Sequence, residues 1–235
     1  MIADEPDADP RFHGRRRGRR LRQQREELVA SLLPTLELSL PADGRPLDLA
    51  AQFARPVREI WLEIGFGNGE HLIWQAQQNH DVGIIGAEPY LNGVARLLSY
   101  IADGDVDNVR IVPDDVRPVL DRLPQASISR AFILFPDPWP KLRHHKRRLV
   151  NEETLNQLAR VMSDGAELRL ATDDADYAAW MLRFGLAHAE FDWLAQRPDD
   201  WRVRPDDWPP TRYEEKNRSG GQGPVFLRFR RKSRG

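Results

Sequence analysis

The chain has 235 residues, of which 40% are apolar and 30% carry charge, a balance typical of a folded domain with a full core. It contains no cysteine, which excludes disulfides, thiolate zinc sites and a cysteine nucleophile and fits a cytoplasmic protein. The formal net charge is only −1, but eight arginines lie within residues 11–25 and a second basic cluster lies within residues 143–148. No apolar run is long enough to span a bilayer, and the first residues lack the apolar core of a signal peptide.

The first 40 residues are predicted to form a basic arm. Residues 1–25 hold few apolar side chains, so we expect this part of the arm to be mobile when alone. Residues 26–40 are amphipathic, which predicts a short helix broken at Pro34. The predicted division is therefore an arm over residues 1–40 and a folded domain over residues 41–235.

From residue 57 onward, predicted strands and helices alternate. The short apolar runs that predict strands are 57–64, 82–87, 109–112, 131–135, 167–171, 191–194 and 225–230. The segments that predict helices are 70–78, 91–101, 117–123, 151–162 and 175–187. This alternation predicts an α/β domain with a doubly wound, mostly parallel sheet.

A glycine-rich loop joins the first predicted strand to the first predicted helix. Its glycines, Gly65, Gly67 and Gly69, let the backbone turn sharply and approach a ligand closely. Glu88 follows the second predicted strand, where an acid can accept hydrogen bonds from a ribose diol. Together these features predict a site for a nucleoside cofactor.

The acids around this loop favour S-adenosylmethionine over NAD. Glu63 precedes the first glycine and Glu70 follows the last, and two carboxylates repel a pyrophosphate but tolerate a sulfonium and an ammonium group. The glycine spacing also departs from the dinucleotide pattern G-x-G-x-x-G. Asp114 and Asp115 follow the third predicted strand, where an acid can meet the adenine amino group. A helix N-cap is the alternative role for this pair.

Residues 135–141 read FPDPWPK and follow the fourth predicted strand. Proline fixes φ and pushes the preceding residue to extended geometry, so Asp137 is predicted to lie on a stiff loop at the ligand-binding edge of the sheet. The alternative is a turn aspartate that fixes only local backbone. Trp139 could stack on a base or pack under the loop. The basic run that follows favours an aromatic, polyanionic substrate, which indicates a nucleic acid.

Five segments resemble the bacterial tRNA (guanine-N7-)-methyltransferases. They are EIGFG at 63–67, GAEP at 86–89, FPDPWPK at 135–141, ATD at 171–173 and TRYE at 211–214. The similarity extends over residues 57–230. The resemblance implies a Rossmann-like S-adenosylmethionine-dependent methyltransferase fold of seven strands with an antiparallel last strand. It also implies methylation of the guanine at position 46, in the variable loop of tRNA.

The resemblance further implies a role for each matching residue. The implied contacts to the methyl donor include two of the loop glycines and are Glu63, Gly65, Gly67, Glu88, Asp115 and Asp137. Asp137 is also the implied catalytic residue. The implied substrate contacts are Lys141, Asp173, Thr211, Arg212, Tyr213 and Glu214. The implied RNA-contacting segment comprises Arg143, His144, His145, Lys146, Arg147 and Arg148.

The chemistry of the residues agrees with this function. Guanine N7 has a free lone pair at neutral pH, so its methylation requires placement and charge control and no general base. Asp137 can stabilise the positive charge that moves onto the purine and can accept hydrogen bonds from guanine N1–H and N2–H. Asp173 or Glu214 could share this selection. His144 and His145 lack companion ligands at useful spacing, so no metal is expected.

Three other functions stay open at the level of sequence. An NAD-type oxidoreductase uses a similar sheet, but the paired acids in the glycine loop argue against it. A catalytically inactive RNA-binding protein would not need the acids at Glu63, Glu88 and Asp137. Another nucleic-acid methyltransferase, one that acts on amino groups, usually has two adjacent prolines after its Asn or Asp, whereas here the second proline is displaced to Pro140. The sequence leaves a monomer and a homodimer equally open.

Overall fold

The computed structural model describes residues 14–38, 40, 45–210 and 223–235. The strands of this part are β1 Glu59–Ile64, β2 Val82–Ala87, β3 Val109–Val112, β4 Ile128–Leu134, β5 Met162–Thr172, β6 Phe191–Trp193 and β7 Val225–Arg231. Its α-helices are α1 Gln23–Ser31, α2 Leu33–Leu36, α3 Glu70–Gln78, α4 Leu91–Asp103, α5 Arg117–Leu120, α6 Glu152–Val161, α7 Ala175–Ala187 and α8 Asp199–Arg202. Two 3-10 turns occupy Ala50–Gln52 and Leu142–Arg147.

All seven strands join one sheet in the order β3-β2-β1-β4-β5-β7-β6. Strands β1 to β5 pair in parallel, whereas β7 runs antiparallel to both of its neighbours, β5 and β6. The predicted doubly wound, mostly parallel sheet with an antiparallel last strand is therefore confirmed. Because β1 lies between β2 and β4, the chain reverses its direction of winding at β1, and a crevice opens beyond the carboxyl ends of these strands.

Helices cover both faces of the sheet, which explains why its central strands are apolar along their whole length. All six residues of β2 are buried. One apolar cluster packs α5, α6 and α7 against one face. The other cluster packs α2, α3 and α4 against the opposite face. These two layers hold the strand ends, and hence the loops after them, in fixed positions.

Within the α/β body, two strands and one helix differ from the prediction by three or more residues at one end. β4 begins at Ile128 and β5 at Met162, and these two residues pair with each other beyond a register shift in the β4–β5 ladder. The polar stretch after Met162 hid this extension, because the pairing depends on a distant partner. α5 ends at Leu120, three residues before the predicted end at 123, and Pro124 prevents the helix from continuing.

The described part of the predicted arm packs on the α/β body. α1 contacts α4, and Leu33 and Leu36 of α2 are each 8% exposed. The N–H of Leu38 donates to the carbonyl of Ile111 in β3 at 2.9 Å, so the chain continues beside the sheet. Pro34 lies in the first turn of α2, where its missing N–H costs no hydrogen bond. The helix is thus interrupted as predicted, but at Leu32, two residues before the predicted position.

Candidate active site

The glycine loop between β1 and α3 turns in the left-handed region of backbone conformation. The φ angles of Gly65, Gly67 and Gly69 are 75°, 56° and 79°, a region that side chains with a Cβ rarely adopt. The loop also packs closely on α4, because a Cβ at Gly93 would lie 2.1 Å from the carbonyl oxygen of Gly67. Glycine is therefore required at both residues of this contact, Gly67 and Gly93.

A cleft of about 490 Å³ lies beyond the carboxyl ends of β1 to β4, a size that suits a small-molecule ligand. Its walls come from the glycine loop, the loops after β2, β3 and β4, and the first described residues of the arm. The residues that line it are Gly14, Arg15, Ile64, Gly65, Gly67, Ala87, Glu88, Pro89, Tyr90, Asp114, Asp115, Val116, Arg117, Phe135, Pro136, Asp137, Trp139, Arg147 and Leu149. Five of the six residues that were predicted to contact the methyl donor thus line this cleft.

Glu88 is the most buried acid of the cleft, with 8% of the residue exposed. Its Oε2 accepts a hydrogen bond from the Gly67 N–H at 2.8 Å, and its Oε1 accepts one from the Tyr90 N–H at 2.9 Å. Burial raises the pKa of Glu88, although these two hydrogen bonds oppose the shift. The carboxylate is thus fixed against the glycine loop, at the position where the sequence predicts contact with a ribose.

Asp114 and Asp115 follow β3, and both have arginine partners. Asp115 forms an ion pair with Arg117 and accepts a hydrogen bond from the Arg117 N–H at 3.1 Å, so the capping role considered for this pair is also present. Asp114 pairs with Arg16 of the arm at 2.5 Å. Both acids line the cleft.

Glu63 does not line the cleft, which corrects its predicted place in the wall. Its Oε2 lies 2.7 Å from His71 Nδ1, and the side chains of Glu63 and His71 are 3% and 2% exposed. The His71 ring in turn packs against Phe132, with the ring centroids 4.7 Å apart. Residues alternate between the faces of a strand, so Glu63 points to the side of α3 while Ile64 faces the cleft. Glu63 therefore contacts the first turn of α3, directly after the glycine loop.

Asp137 is exposed and lies on the cleft wall in the loop after β4. The loop turns at two residues with positive φ, Phe135 at 52° and Trp139 at 46°, which is uncommon for residues with large side chains. Such conformations cluster at functional sites, where the surrounding structure holds them in place. The Phe135 N–H donates to the Ala171 carbonyl at 2.8 Å, so the loop leaves the sheet directly after its last pairing contact with β5.

Trp139 also lines the cleft, and it has two cationic or polar neighbours. The Arg147 guanidinium lies over its ring at 5.0 Å from the centroid, and the His144 ring meets it edge-on at 5.8 Å. The packing role considered for Trp139 is therefore present, and base stacking stays a prediction.

The basic run after this loop has an outer and an inner side. Lys141, Arg143 and Lys146 are exposed, as a phosphate-binding surface requires. Arg148 is 1% exposed, so the prediction that it contacts RNA from the surface is wrong. His145 also turns inward, with its ring 5.4 Å from the Trp180 ring. A 3-10 turn has three residues per turn, and one side of the run therefore meets the core.

Asp173 lies half-buried at the end of β5, in the loop before α7. Its neighbour Asp174 caps α7 by accepting a hydrogen bond from the Tyr177 N–H at 2.8 Å. The predicted substrate contacts Thr211, Arg212, Tyr213 and Glu214 lie outside the described residues. The described residues that precede this segment end at Pro210. Trp208, two residues earlier, is 2% exposed and packs on Phe226.

The comparisons with known proteins agree with this geometry. Residues 57–227 match a family model described as "Putative methyltransferase". A protein of Rhodospirillum rubrum named tRNA (guanine-N(7)-)-methyltransferase is 48% identical over 235 residues, which cover 99% of this chain and 92% of the relative. A protein of the same name from Ruegeria pomeroyi is 51% identical over 237 residues, which cover 98% of this chain and 99% of the relative. The chain belongs to the tRNA (guanine-N7-)-methyltransferase family.

Solved structures show the same fold at low sequence identity. An rRNA methylase from Streptococcus thermophilus has a TM-score of 0.53 at 12% identity and covers 76% of this chain and 89% of that one. A Streptococcus mutans protein described as a methyltransferase, determined in complex with SAH, has a TM-score of 0.50 at 10% identity and covers 78% of this chain and 94% of that one. The predicted Rossmann-like, S-adenosylmethionine-dependent methyltransferase fold is confirmed, and an NAD-type oxidoreductase is no longer a reasonable alternative.

Several residues of this family member's cleft were missed from the sequence. Gly14 and Arg15 line it, because the Leu91 N–H donates to the Arg16 carbonyl at 3.0 Å and draws the arm across the sheet edge. No local spacing could reveal that contact. Gly93 had a signal, since a glycine inside an amphipathic helix often marks a close approach.

Two absences hold for the described part of the chain. No helix there is long and apolar enough to cross a membrane. Within the same residues, no group of three or more His, Asp and Glu side chains is arranged to hold a metal ion.

Proposed function

We propose that this chain transfers the methyl group of S-adenosylmethionine to N7 of a guanine in tRNA, and that this guanine is the one at position 46 in the variable loop. The observation that carries the proposal is the pair of carboxylates in the cleft wall. Among the described residues, neither Glu88 nor Asp137 has a cationic partner, whereas Asp114 and Asp115 are paired with arginines. Free carboxylates suit a ligand that brings its own positive charge.

The residues of the cleft fit the methyl donor. When bound, S-adenosylmethionine supplies an electrophilic methyl carbon on a sulfonium. We assign Glu88 to the ribose hydroxyls, because its two oxygens are held by main-chain N–H groups and keep lone pairs for further donors. Asp115 is assigned to the adenine amino group. Gly65 and Gly67 let the donor approach the backbone, and Glu63 is assigned a supporting role through His71.

Asp137 is assigned the catalytic role. Guanine N7 forms a bond to the methyl carbon while the carbon–sulfur bond breaks and its electron pair returns to sulfur. Positive charge thereby leaves the sulfonium and appears on the purine. A carboxylate beside the purine stabilises that charge as it develops. No proton has to leave N7 before the attack, so the site needs no general base.

The tRNA is proposed to reach the cleft over the outer side of the basic run. Lys141, Arg143 and Lys146 are exposed there and are assigned to phosphates, whose contacts supply most of the affinity for RNA. His144 and Arg147 contact Trp139 of the loop and are assigned to the RNA close to the target base. His145 turns inward against Trp180 and is assigned no contact with RNA. The remaining proposed guanine contacts are Lys141 again, Asp173 and residues 211–214.

We further infer that the protein acts in the cytoplasm, since it has no cysteine and its proposed substrate is tRNA. A single chain supplies the donor cleft and the Asp137 loop, so a monomer and a homodimer would both serve.

Mapping the modified base tests the proposal. Unmodified tRNA transcripts are incubated with the protein and labelled methyl donor, and N7-methylguanosine is located by chemical strand cleavage. A transcript with adenine at position 46 is the control. We expect label at guanine 46 and none in the control. Label on another atom or another residue would overturn the assignment, and tRNA binding without methyl transfer would favour an inactive RNA-binding protein.

A further inference from the structure

Arg148 is a buried cation at the end of a surface run. Its side chain has no exposed area, although the run that it completes is basic and otherwise largely exposed. Removing a guanidinium from water is costly unless hydrogen bonds and an opposite charge compensate for the lost hydration. The partners of Arg148 therefore show which interactions compensate for its lost hydration.

These partners come from one loop and one helix. Arg148 Nε donates to the carbonyl oxygen of Pro138 at 2.8 Å, and Nη2 forms an ion pair with Asp176. The guanidinium carbon lies 4.9 Å from the centroid of the Tyr177 ring and 4.8 Å from that of Trp180. Pro138 belongs to the loop after β4, whereas the other three residues belong to α7. One side chain thus joins the Asp137 loop to the helix that begins beside Asp173.

The Asp137 loop lacks other anchors of this kind. Three of its residues are prolines, Pro136, Pro138 and Pro140, which have no N–H to donate. Among the hydrogen bonds within the described residues, the one from Arg148 is the only one that reaches residues 136–140. Apart from the packing of Trp139 against Arg147 and His144, the position of the loop therefore depends on this external donor to one of its carbonyls.

The donor itself is rigidly held. The Val150 N–H donates to the Tyr177 hydroxyl at 3.2 Å, and the Trp180 indole N–H donates to the Val150 carbonyl at 2.7 Å. The chain just after Arg148 is therefore fixed to α7 at two points. The hydrogen bond from Arg148 also lowers the pKa of Asp176.

We propose that Arg148 is a positioning residue for methyl transfer, because it ties the carbonyl of Pro138 to Asp176 and so holds Asp137 at the mouth of the cleft. The inference rests on the proposed function of Asp137. It assigns Arg148 to the reaction through the loop and gives it no contact with RNA. A carboxylate displaced by about 1 Å from its productive place can lose about 100-fold in rate.

Single-turnover methylation at saturating tRNA and donor tests this role with the full-length protein. We expect Arg148→Met to lower the saturated rate roughly 10- to 100-fold, with donor affinity within about twofold of wild type. Arg148→Lys should recover part of the rate, since it keeps the charge. The matched control is Arg183→Met, which removes a guanidinium from the same Trp180 ring, 4.7 Å away, without reaching the loop. Its saturated rate should equal that of wild type.

A double variant separates positioning from general loss of structure. If Arg148 acts through Asp137, then Arg148→Met should slow the Asp137→Asn protein no further, because the two residues act as a unit. Full additivity of the two effects would overturn the proposal, as would a folded Arg148→Met protein with a wild-type saturated rate.

If Arg148→Met fails to fold, Asp176→Asn tests the same role. The Asp176 side chain is 67% exposed, so this substitution weakens the ion pair with Arg148 without changing a buried residue. A drop of about three- to tenfold in the saturated rate supports the inference, and an unchanged rate overturns it. Failure of the function itself is distinguishable, since the wild-type protein would then leave guanine N7 unmethylated.

Discussion

At the scale of single residues, Asp137 differs from the other acids of the cleft. Unlike Asp114 and Asp115, it has no cationic partner among the described residues, and unlike the buried Glu88 it is exposed. It also lies between two residues with positive φ. The structure around it maintains an unfavourable backbone conformation, which is expected where a side chain must be presented in one direction.

Asp137→Asn should therefore lower the saturated methylation rate by roughly 100-fold or more, because the amide cannot stabilise the charge that moves onto the purine. The shape of the side chain is nearly unchanged, so the melting temperature and the affinity for tRNA should stay at wild-type values. Single-turnover kinetics and thermal unfolding measure both quantities. A rate within a few-fold of wild type would remove Asp137 from the catalytic role.

Glu88 offers a prediction in which binding and stability move in opposite directions. Burial raises its pKa above the ordinary value of 4.5. An acid with a raised pKa binds its proton more tightly in the folded state, so its contribution to stability falls as pH rises through the window from 4.5 to the raised pKa. Near neutral pH the ionised Glu88 thus lowers stability while it serves the donor.

Glu88→Gln is expected to match or exceed the wild-type melting temperature near neutral pH and to bind the donor about tenfold more weakly. The difference in melting temperature should shrink at pH values below the window, where wild-type Glu88 is itself protonated. Thermal unfolding across pH and calorimetric titration with the donor check the two parts. A difference in melting temperature that stays the same across the pH window would contradict the burial effect, and unchanged affinity would contradict the ribose contact.

At the scale of elements, the donor site depends on how closely α4 approaches the glycine loop. Gly93→Ala would place a methyl group 2.1 Å from the Gly67 carbonyl, so the loop must shift. We expect donor affinity to fall about tenfold while tRNA affinity is retained.

The matched control for this contact is Gly185→Ala in α7, where a Cβ would lie 2.4 Å from the Phe229 ring. It should lower the melting temperature without changing the donor affinity of the folded protein. Equal losses of donor affinity in the two variants would mean that the Gly93 contact has no special role in the donor site.

At the scale of the whole molecule, the net charge of −1 conceals a surface suited to RNA. The charge reversals Arg143→Glu and Lys146→Glu should together weaken tRNA binding and flatten its dependence on salt, by roughly one unit of log–log slope for each lost phosphate contact. Arg197→Glu, at an exposed residue of the loop before α8, is the control for a charge reversal away from the basic run, although it also removes the ion pair with Asp200. Filter binding over a range of salt concentrations gives the slopes, and a slope unchanged by the double reversal would place the RNA elsewhere.

Much of the fold and part of the site could be predicted because their signals are local. The glycine loop, Glu88 after β2 and the proline-rich loop of Asp137 each lie within a few residues of a strand end, and periodicity located those strands. The burial of Arg148 could not be predicted in this way, because it depends on α7. Its partner Asp176 in that helix lies 28 residues further along the chain. Glu63 was misplaced for a similar reason, because the sequence does not show which face of β1 is covered by α3 and its residue His71.

The position of β7 has a consequence for synthesis on the ribosome. This strand lies between β5 and β6, and within the described residues β6 pairs with β7 alone. Until residues 225–231 have left the exit tunnel, β5 presents an open edge that can pair with another nascent chain. Within the described residues the sheet can therefore close only after β7 has been synthesised, and a chaperone that shields the edge of β5 would protect the chain until then.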